Sequence, residues 1–212
     1  MDCCCGYERV FGARTARHDA RRYRKHGPKQ TQASVIRLLR ERGVQGVEVL
    51  EIGGGIGAIQ VELLRAGAAR TTNVELSPGY EAQAATLLRE SGFEGRAERL
   101  LGDLVTDPSL VASADAVVLE RVLCCYPDLP GLLGAAADRA RRSLVATYPR
   151  RNPVSRAFAR AANLILPLFG GGFRVFVHDP AEIERVAAVH GLRRTAVRRG
   201  RVWEVAAFDR PA

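Results

Sequence analysis

Apolar residues recur along this chain at two alternating spacings. Val35, Leu38 and Leu39 fall at helical intervals between Thr31 and Arg42, and Gly43 stops the run, so an amphipathic helix is predicted there. Val47 to Ile52 is instead a short β-type run, followed by glycines and a helical pattern from Ile59 to Ala66. The alternation continues with a strand over Thr71–Glu75, a helix over Gly79–Ser91 and a weaker strand over Arg96–Leu101. Asp115 to Leu119 is strongly apolar, which marks a central strand buried on both faces. Leu132 to Arg142 predicts a helix, and Ser143 to Tyr148 a fifth strand.

Strands separated by helices of this length imply parallel pairing through right-handed crossovers, with both sheet faces covered. After Tyr148 the pattern changes. Residues 153–169 predict a helical insertion with Gly170-Gly171-Gly172 behind it, and Phe173 to His178 alternates like an edge strand. Pro180 to His190 predicts a helix with proline near its start and Gly191 past its end. Arg193–Val197 and Val202–Phe208, on either side of Arg199-Gly200, predict an antiparallel hairpin. The expected fold class is α/β: a doubly wound, mostly parallel seven-stranded sheet, Rossmann-like, with a C-terminal antiparallel hairpin. The main domain is expected at 31–209, with a helical insertion at about 150–173. Residues 1–30 form a basic, partly helical extension broken at Gly27-Pro28.

Length and composition narrow the function classes. A chain of 212 residues makes one well-buried α/β domain and leaves little for a second. The longest apolar stretch, Ala161 to Phe169, is too short for a membrane span and is interrupted by Pro167. Met1-Asp2-Cys3-Cys4-Cys5 has neither a basic start nor an apolar core, so a secretory signal is not expected and the cytoplasm is. The net charge of +9 is concentrated in Arg14–Lys29 and Arg193–Arg201. Such stretches favour acidic partners, while their shortage of interleaved aromatics argues against nucleic acid. The five cysteines form a triplet, Cys3–Cys5, and a pair, Cys124-Cys125. The pair reads as small apolar residues near a strand end; the alternative has the two clusters meet to bind a soft metal or metalloid, but the spacing matches no standard zinc pattern, and no metal site is assigned.

The chemistry-bearing stretch is Glu51-Ile52-Gly53-Gly54-Gly55-Ile56-Gly57, between the first strand and a helix. Glycines at 53, 55 and 57 let the backbone approach a ligand, and the helix behind them offers unpaired N–H groups. Gly53-x-Gly55-x-x-Ala58 also satisfies the dinucleotide fingerprint, so an NAD(P)-dependent oxidoreductase is the alternative enzyme. Three acids tilt the reading. Glu51 precedes the glycines, where a carboxylate suits the cationic amino group of a methionine-like moiety. Glu75 ends the second strand, where it suits ribose hydroxyls, and Asp103 follows the third, where it suits an adenine amino group. This set resembles the class I S-adenosylmethionine-dependent methyltransferases. The resemblance implies S-adenosyl-L-methionine as cofactor, with Leu76, Leu104 and Glu120 joining the acids and glycines around it.

The loop after the fourth strand should face the acceptor. It lacks the Asn/Asp-Pro-Pro-aromatic motif of nucleic-acid amino-methyltransferases. Leu123-x-x-Tyr126-Pro127, Phe173–His178 and Gly6-Tyr7-Glu8-Arg9 resemble magnesium-protoporphyrin O-methyltransferases, although that family has His where this chain has Cys125. The resemblance implies a carboxylate acceptor, which the basic stretches suit. An acceptor that must lose a proton needs a base in reach; His178 and His18 are candidates, with Tyr126 and Tyr148 as orienting groups. A carboxylate needs none. The expected partner is thus a small, anionic molecule. The third reading is a non-catalytic nucleic-acid-binding protein on this fold.

Overall fold

The computed structural model describes residues 10–166 and 173–211. Cys3–Cys5, the Gly6–Arg9 motif and Gly170–Gly172 lie outside the described residues. Helices α1 (Ala13–His26) and α2 (Gln30–Glu41) precede strand β1 (Glu48–Ile52). Then follow α3 (Ala58–Arg65), β2 (Arg70–Glu75), α4 (Glu81–Glu90), β3 (Ala97–Leu101) and β4 (Ala114–Leu119). The chain continues through α5 (Leu129–Arg139), β5 (Ala140–Pro149), α6 (Pro153–Ile165), α7 (Pro180–Val189), β6 (Arg193–Arg199) and β7 (Trp203–Asp209).

The seven strands form one sheet in the order β3-β2-β1-β4-β5-β7-β6. Pairings among β1 to β5 are parallel, while β7 runs antiparallel between β5 and β6. Strand β4 shows why the sheet is doubly wound. Ala116 and Val118 pack with Val35, Leu38 and Ile59 of α2 and α3; Val117 and Leu119 pack with Leu133 and Ile183 of α5 and α7. Successive strand residues face opposite ways, so an unbroken apolar run buries both faces.

Two sequence expectations change here. Phe173 to His178 is not a strand. Its alternation is satisfied without a ladder: Phe176 N–H donates to Cys124 O at 2.7 Å, and Asn163 of α6 clamps Val175 through both main-chain groups. The predicted helix over Leu132–Arg142 is displaced. α5 begins at Leu129 because Asp128 caps it, accepting from Gly131 N at 2.9 Å, and Ala140–Arg142 already belong to β5.

The basic N-terminal stretch packs tightly. Ala16, Ala20 and Tyr23 of α1 are buried against Ala58 and Val61 of α3 and Leu87 and Leu88 of α4. Small residues four apart let the helix come close. Tyr23 OH then donates to Glu62 Oε1 at 2.6 Å, and Ser77 Oγ to Phe11 O at 2.7 Å. Residues from Val10 to Lys29 therefore border the carboxyl ends of the strands, where a doubly wound sheet places its ligands.

Candidate active site

The strand order reverses between β1 and β4, and the glycine turn after β1 opens there. Gly53 and Gly55 have φ of +67° and +56°, a region that L-residues rarely occupy. Sterics are as strict. A Cβ on Gly54 would stand 2.4 Å from Asn73 Oδ1 and 2.6 Å from Glu51 Oε2; one on Gly53 would meet Val122 Cγ2 at 2.7 Å. The turn's N–H groups are fixed: Gly53 N donates to Val74 O (2.8 Å), Gly54 N to Asn73 Oδ1 (2.8 Å) and Gly55 N to Glu75 Oε2 (2.9 Å). Arg99 of β3 locks the turn from the other side. Its guanidinium donates to Gly55 O at 2.8 Å and Gln60 Oε1 at 2.9 Å while forking onto the Glu81 carboxylate.

Two acids beside the turn are held in place by neighbouring donors. Glu75 accepts from Gly55 N and, through Oε1, from Ser77 N at 3.1 Å; burial still pushes its pKa up, against the pull of those two N–H groups and Arg99. Asp103 accepts from Val105 N at 2.9 Å through one oxygen and from Tyr126 OH at 2.9 Å through the other. Each oxygen keeps a lone pair for a further donor. Glu120, at the end of β4, accepts from Thr31 Oγ1 at 2.5 Å; burial raises it, with that hydroxyl, Arg121 and Lys29 opposing.

These groups share the wall of a cavity of about 660 Å³, the size of a small-molecule site. Of the sequence candidates, Gly53, Gly55, Glu75, Leu76, Asp103, Leu104, Glu120 and Tyr126 line it. Five others do not. Glu51 lies behind the turn, 2% exposed, with Oε2 lacking a hydrogen-bond partner; burial pushes its pKa up to about 8, Arg99 pulling down and Glu120 and Glu75 pushing up. A carboxylate behind Gly54 is not an exposed counter-ion for a ligand amine. Gly57 caps α3 and faces Gln60 and Arg99. His18 is exposed on α1 outside the wall. His178 Nε2 bonds Leu123 O at 2.9 Å and its ring stacks on Phe176, so it tethers the post-β4 loop. Tyr148 is a core residue whose hydroxyl donates to Glu204 Oε1 at 3.0 Å, and burial raises its pKa.

Other wall residues were not read from sequence as site residues: Tyr80, Phe158, Phe173 and Trp203. Tyr80 covers Gly55, its ring edge 3.3 Å from where a Cβ would be. Arg121 stacks its guanidinium 4.4 Å from the Trp203 ring centroid. Its φ is +59°, the one positive value outside glycine among the described residues. Cys124 and Cys125 also line the cavity, with Sγ atoms 3.4 Å apart; that contact, with burial, pushes the Cys124 thiol up. No group of three or more His, Cys, Asp or Glu side chains among the described residues could hold a metal ion. The second basic stretch is largely neutralised: Arg194, Arg198 and Arg199 pair with Glu184, Glu41 and Glu204.

On this sheet, the glycine turn with Glu75 and Asp103 beside it is similar to the site of the S-adenosylmethionine-dependent methyltransferases, and the cofactor that such a site takes is S-adenosylmethionine. The dinucleotide fold has strand order 3-2-1-4-5-6, whereas here an antiparallel β7 separates β5 from β6. Residues 50–142 match the family described as a methyltransferase domain, a segment holding the glycine turn, Glu75, Asp103 and Tyr126. Among solved structures, the chain is similar to magnesium protoporphyrin IX methyltransferase from Synechocystis PCC 6803 with bound S-adenosylhomocysteine. There the TM-score is 0.71 at 21% identity, covering 86% of this chain and 83% of that one. It is also similar to an O-methyltransferase family protein from Burkholderia thailandensis, with TM-score 0.67 at 19% identity, covering 85% of this chain and 58% of that one. An apo S-adenosylmethionine-dependent methyltransferase gives TM-score 0.65 at 26% identity, covering 86% of this chain and 56% of that one. A search of curated proteins returned no match. No helix among the described residues is long and apolar enough to cross a membrane.

Proposed function

We propose that the protein methylates a carboxylate oxygen of a large, mostly apolar small-molecule acid. The carrying observation is Arg121: its guanidinium lies in the cavity wall over Trp203, and among the described residues no carboxylate stands within ion-pair distance of it. Arg22, also in the wall, has a buried Nε without a hydrogen-bond partner. Two cations with donors to spare suit an anionic acceptor. The apolar part of the wall includes Phe158, Ile165, Phe173 and Trp203, which suits a broad apolar body. The Synechocystis neighbour is named for methylation of magnesium protoporphyrin IX.

The residues present fit the cofactor. Glu75 and Asp103 line the cavity with acceptor capacity left on their oxygens, beside a turn where a Cβ on Gly53 or Gly54 would clash. Glu75 would hold the ribose hydroxyls and Asp103, steadied by Tyr126, the adenine amino group. The bound sulfonium supplies an activated methyl group with a neutral thioether as leaving group. The chain's own work is placement: Arg121 holds the acceptor carboxylate and the apolar wall holds its body. Placement of this kind can contribute about 7–11 kcal/mol of barrier reduction. A carboxylate is already ionised, so the absence of histidine from the wall's described residues is no handicap.

The test is a methyl-transfer screen with labelled cofactor against aromatic, aliphatic and porphyrin carboxylic acids, with phenols and amines alongside. Methyl esters release methanol in mild base, while ethers and N-methyl products do not. Base-labile label with acids supports the reading; base-stable label confined to phenols or amines overturns it.

A further inference from the structure

Helix α6 turns its large apolar side chains outward. Of the six exposed large hydrophobic residues among the described residues, four lie on it: Val154, Phe158, Leu164 and Ile165, from 50% to 76% exposed. Its inward face is made of small and polar groups instead. Ser155 and Ala159 are buried, Ser155 Oγ donates to Val202 O at 3.3 Å, and Asn163 clamps Val175. Asn152 caps the helix, accepting from Ser155 N at 2.8 Å. A surface helix of a soluble domain buries its apolar stripe and leaves the polar one in water. Here polar bonds seat the helix and the apolar stripe stays outside.

The stripe is ordered. At about 100° per residue, Ala157, Leu164, Ala161, Val154, Ile165 and Phe158 span an arc of roughly 120° opposite Ala159. Arg156 and Arg160, both exposed, follow one border of it. Phe158 and Ile165 form the other border, where they also line the cavity, so the cavity wall runs out onto the stripe. The charge around it has one sign. Residues 149–178 contain five arginines and no aspartate or glutamate. Arg151 is ion-paired with Asp179, whereas Arg156, Arg160 and Arg174 are exposed with no carboxylate in ion-pair reach among the described residues.

We infer that α6 docks this protein on an anionic lipid bilayer, with the outward stripe among the acyl chains and Arg156, Arg160 and Arg174 on the lipid phosphates. An apolar stripe bordered by cations and free of acids is the pattern of a helix lying in the membrane interface. Long arginine stems reach phosphate from beside an inserted apolar surface. A second copy of this chain is a poorer occupant, because a two-fold contact sets the same patch against itself and would oppose arginine to arginine. No helix among the described residues is long and apolar enough to cross the membrane, so the docking lies in the plane of the interface. The cavity then opens toward the acyl chains along Phe158 and Ile165. The inference goes beyond the proposed methyl transfer and holds whether or not the acceptor is an acid.

The test is flotation of the full chain with phosphatidylcholine vesicles, with and without phosphatidylglycerol. We expect binding to the anionic vesicles that salt weakens, and binding at least ~10-fold weaker to the neutral ones. Val154→Ser with Leu164→Ser removes apolar area from the stripe and spares the cavity, which neither residue lines. Vesicle binding should fall at least ~10-fold. Arg156→Gln with Arg160→Gln should lower binding to anionic vesicles about 30-fold, roughly fivefold for each cation. Thermal melts establish that the variants are folded, and their S-adenosylhomocysteine affinity by calorimetry should match wild type. No binding to anionic vesicles overturns the inference, as does equal binding to neutral ones or full binding after Val154→Ser with Leu164→Ser. A wild-type dimer that the same two substitutions dissociate also overturns it, since the stripe then meets a second copy. Vesicle binding by a chain that ignores S-adenosylhomocysteine would uphold the docking and sink the methyltransferase reading, so the two failures are distinguishable.

Discussion

The two sides of the cavity are held in place by different means. On the cofactor side, Gly53, Gly54 and Gly55 each spend their N–H on the β2 end, and Arg99, its side chain 7% exposed, binds the turn to β3 and α4. On the side proposed for the acceptor, Arg121 rests on a ring, while Phe158 and Ile165 stand 56% and 50% exposed on α6. The first side is backbone geometry fixed by strand ends; the second is side chains on loops and one amphipathic helix. A ligand common to a whole class belongs with the first, and one that differs between proteins with the second. Substitutions on the first side should therefore damage cofactor binding and stability together, and those on the second acceptor choice alone.

The largest effect is expected from Gly54→Ala. Its methyl would stand 2.4 Å from Asn73 Oδ1 and 2.6 Å from Glu51 Oε2, both in buried side chains. Something must move, and overpacking of this kind costs about 1–3 kcal/mol. S-adenosylhomocysteine affinity measured by calorimetry should fall at least ~100-fold, because Gly53 and Gly55 on either side line the cavity. Unchanged affinity would mean the turn is not what holds the cofactor.

Glu51 comes next. Burial pushes its pKa up to about 8, above the roughly 4.3 of a free glutamate. The folded chain then binds a proton that the unfolded chain has released. The corresponding stability is complete below the unfolded value and is lost as pH rises through about 8. Burial raises Glu75 and Glu120 in the same direction. Thermal midpoints should fall from pH 6 to pH 9, by the equivalent of a few kcal/mol at most, and Glu51→Gln should remove most of that slope. A wild-type slope equal to that of the variant refutes a protonated Glu51.

This contrast also governs what could be read from sequence. The sheet was legible because β1, β4 and β5 announce themselves by apolar runs that alternate with helical spacings. Glu75, the last residue of β2, and Asp103, two residues past β3, line the cavity because both sit at the carboxyl ends of parallel strands. Glu51 was not: β1 alternation puts it on the face opposite Leu50 and Ile52, behind Gly54. Phe173–His178 misled because alternation signals an apolar face, and Asn163 and Cys124 supply its partners instead of a neighbouring strand. The roles of Trp203 and Phe158 depend on contacts across the fold, Arg121 with Trp203 above all, which no local spacing encodes.

On the acceptor side Arg121→Gln removes the cation and leaves the turn untouched. KM for an acid acceptor should rise about tenfold, the loss of one charge-assisted hydrogen bond of about 1.5 kcal/mol, with S-adenosylhomocysteine affinity within about twofold of wild type. Equal losses in both would dissolve the division between the two sides.

The smallest effect is expected at His178, and that smallness is informative. A general base contributes about 10²–10⁴-fold, and its removal abolishes one limb of the pH–rate profile. His178 has instead committed Nε2 to Leu123 O, stacks on Phe176 and does not line the cavity. With an acceptor already ionised, His178→Ala should lose one tether of about 1 kcal/mol and lower kcat less than ~5-fold, without a change in the shape of the pH profile. His178→Gln, which can still donate to Leu123 O, should restore most of the loss. A hundredfold fall that glutamine does not rescue, with one pH limb gone, would make His178 a base. The acceptor would then be a group that must be deprotonated, not a carboxylate.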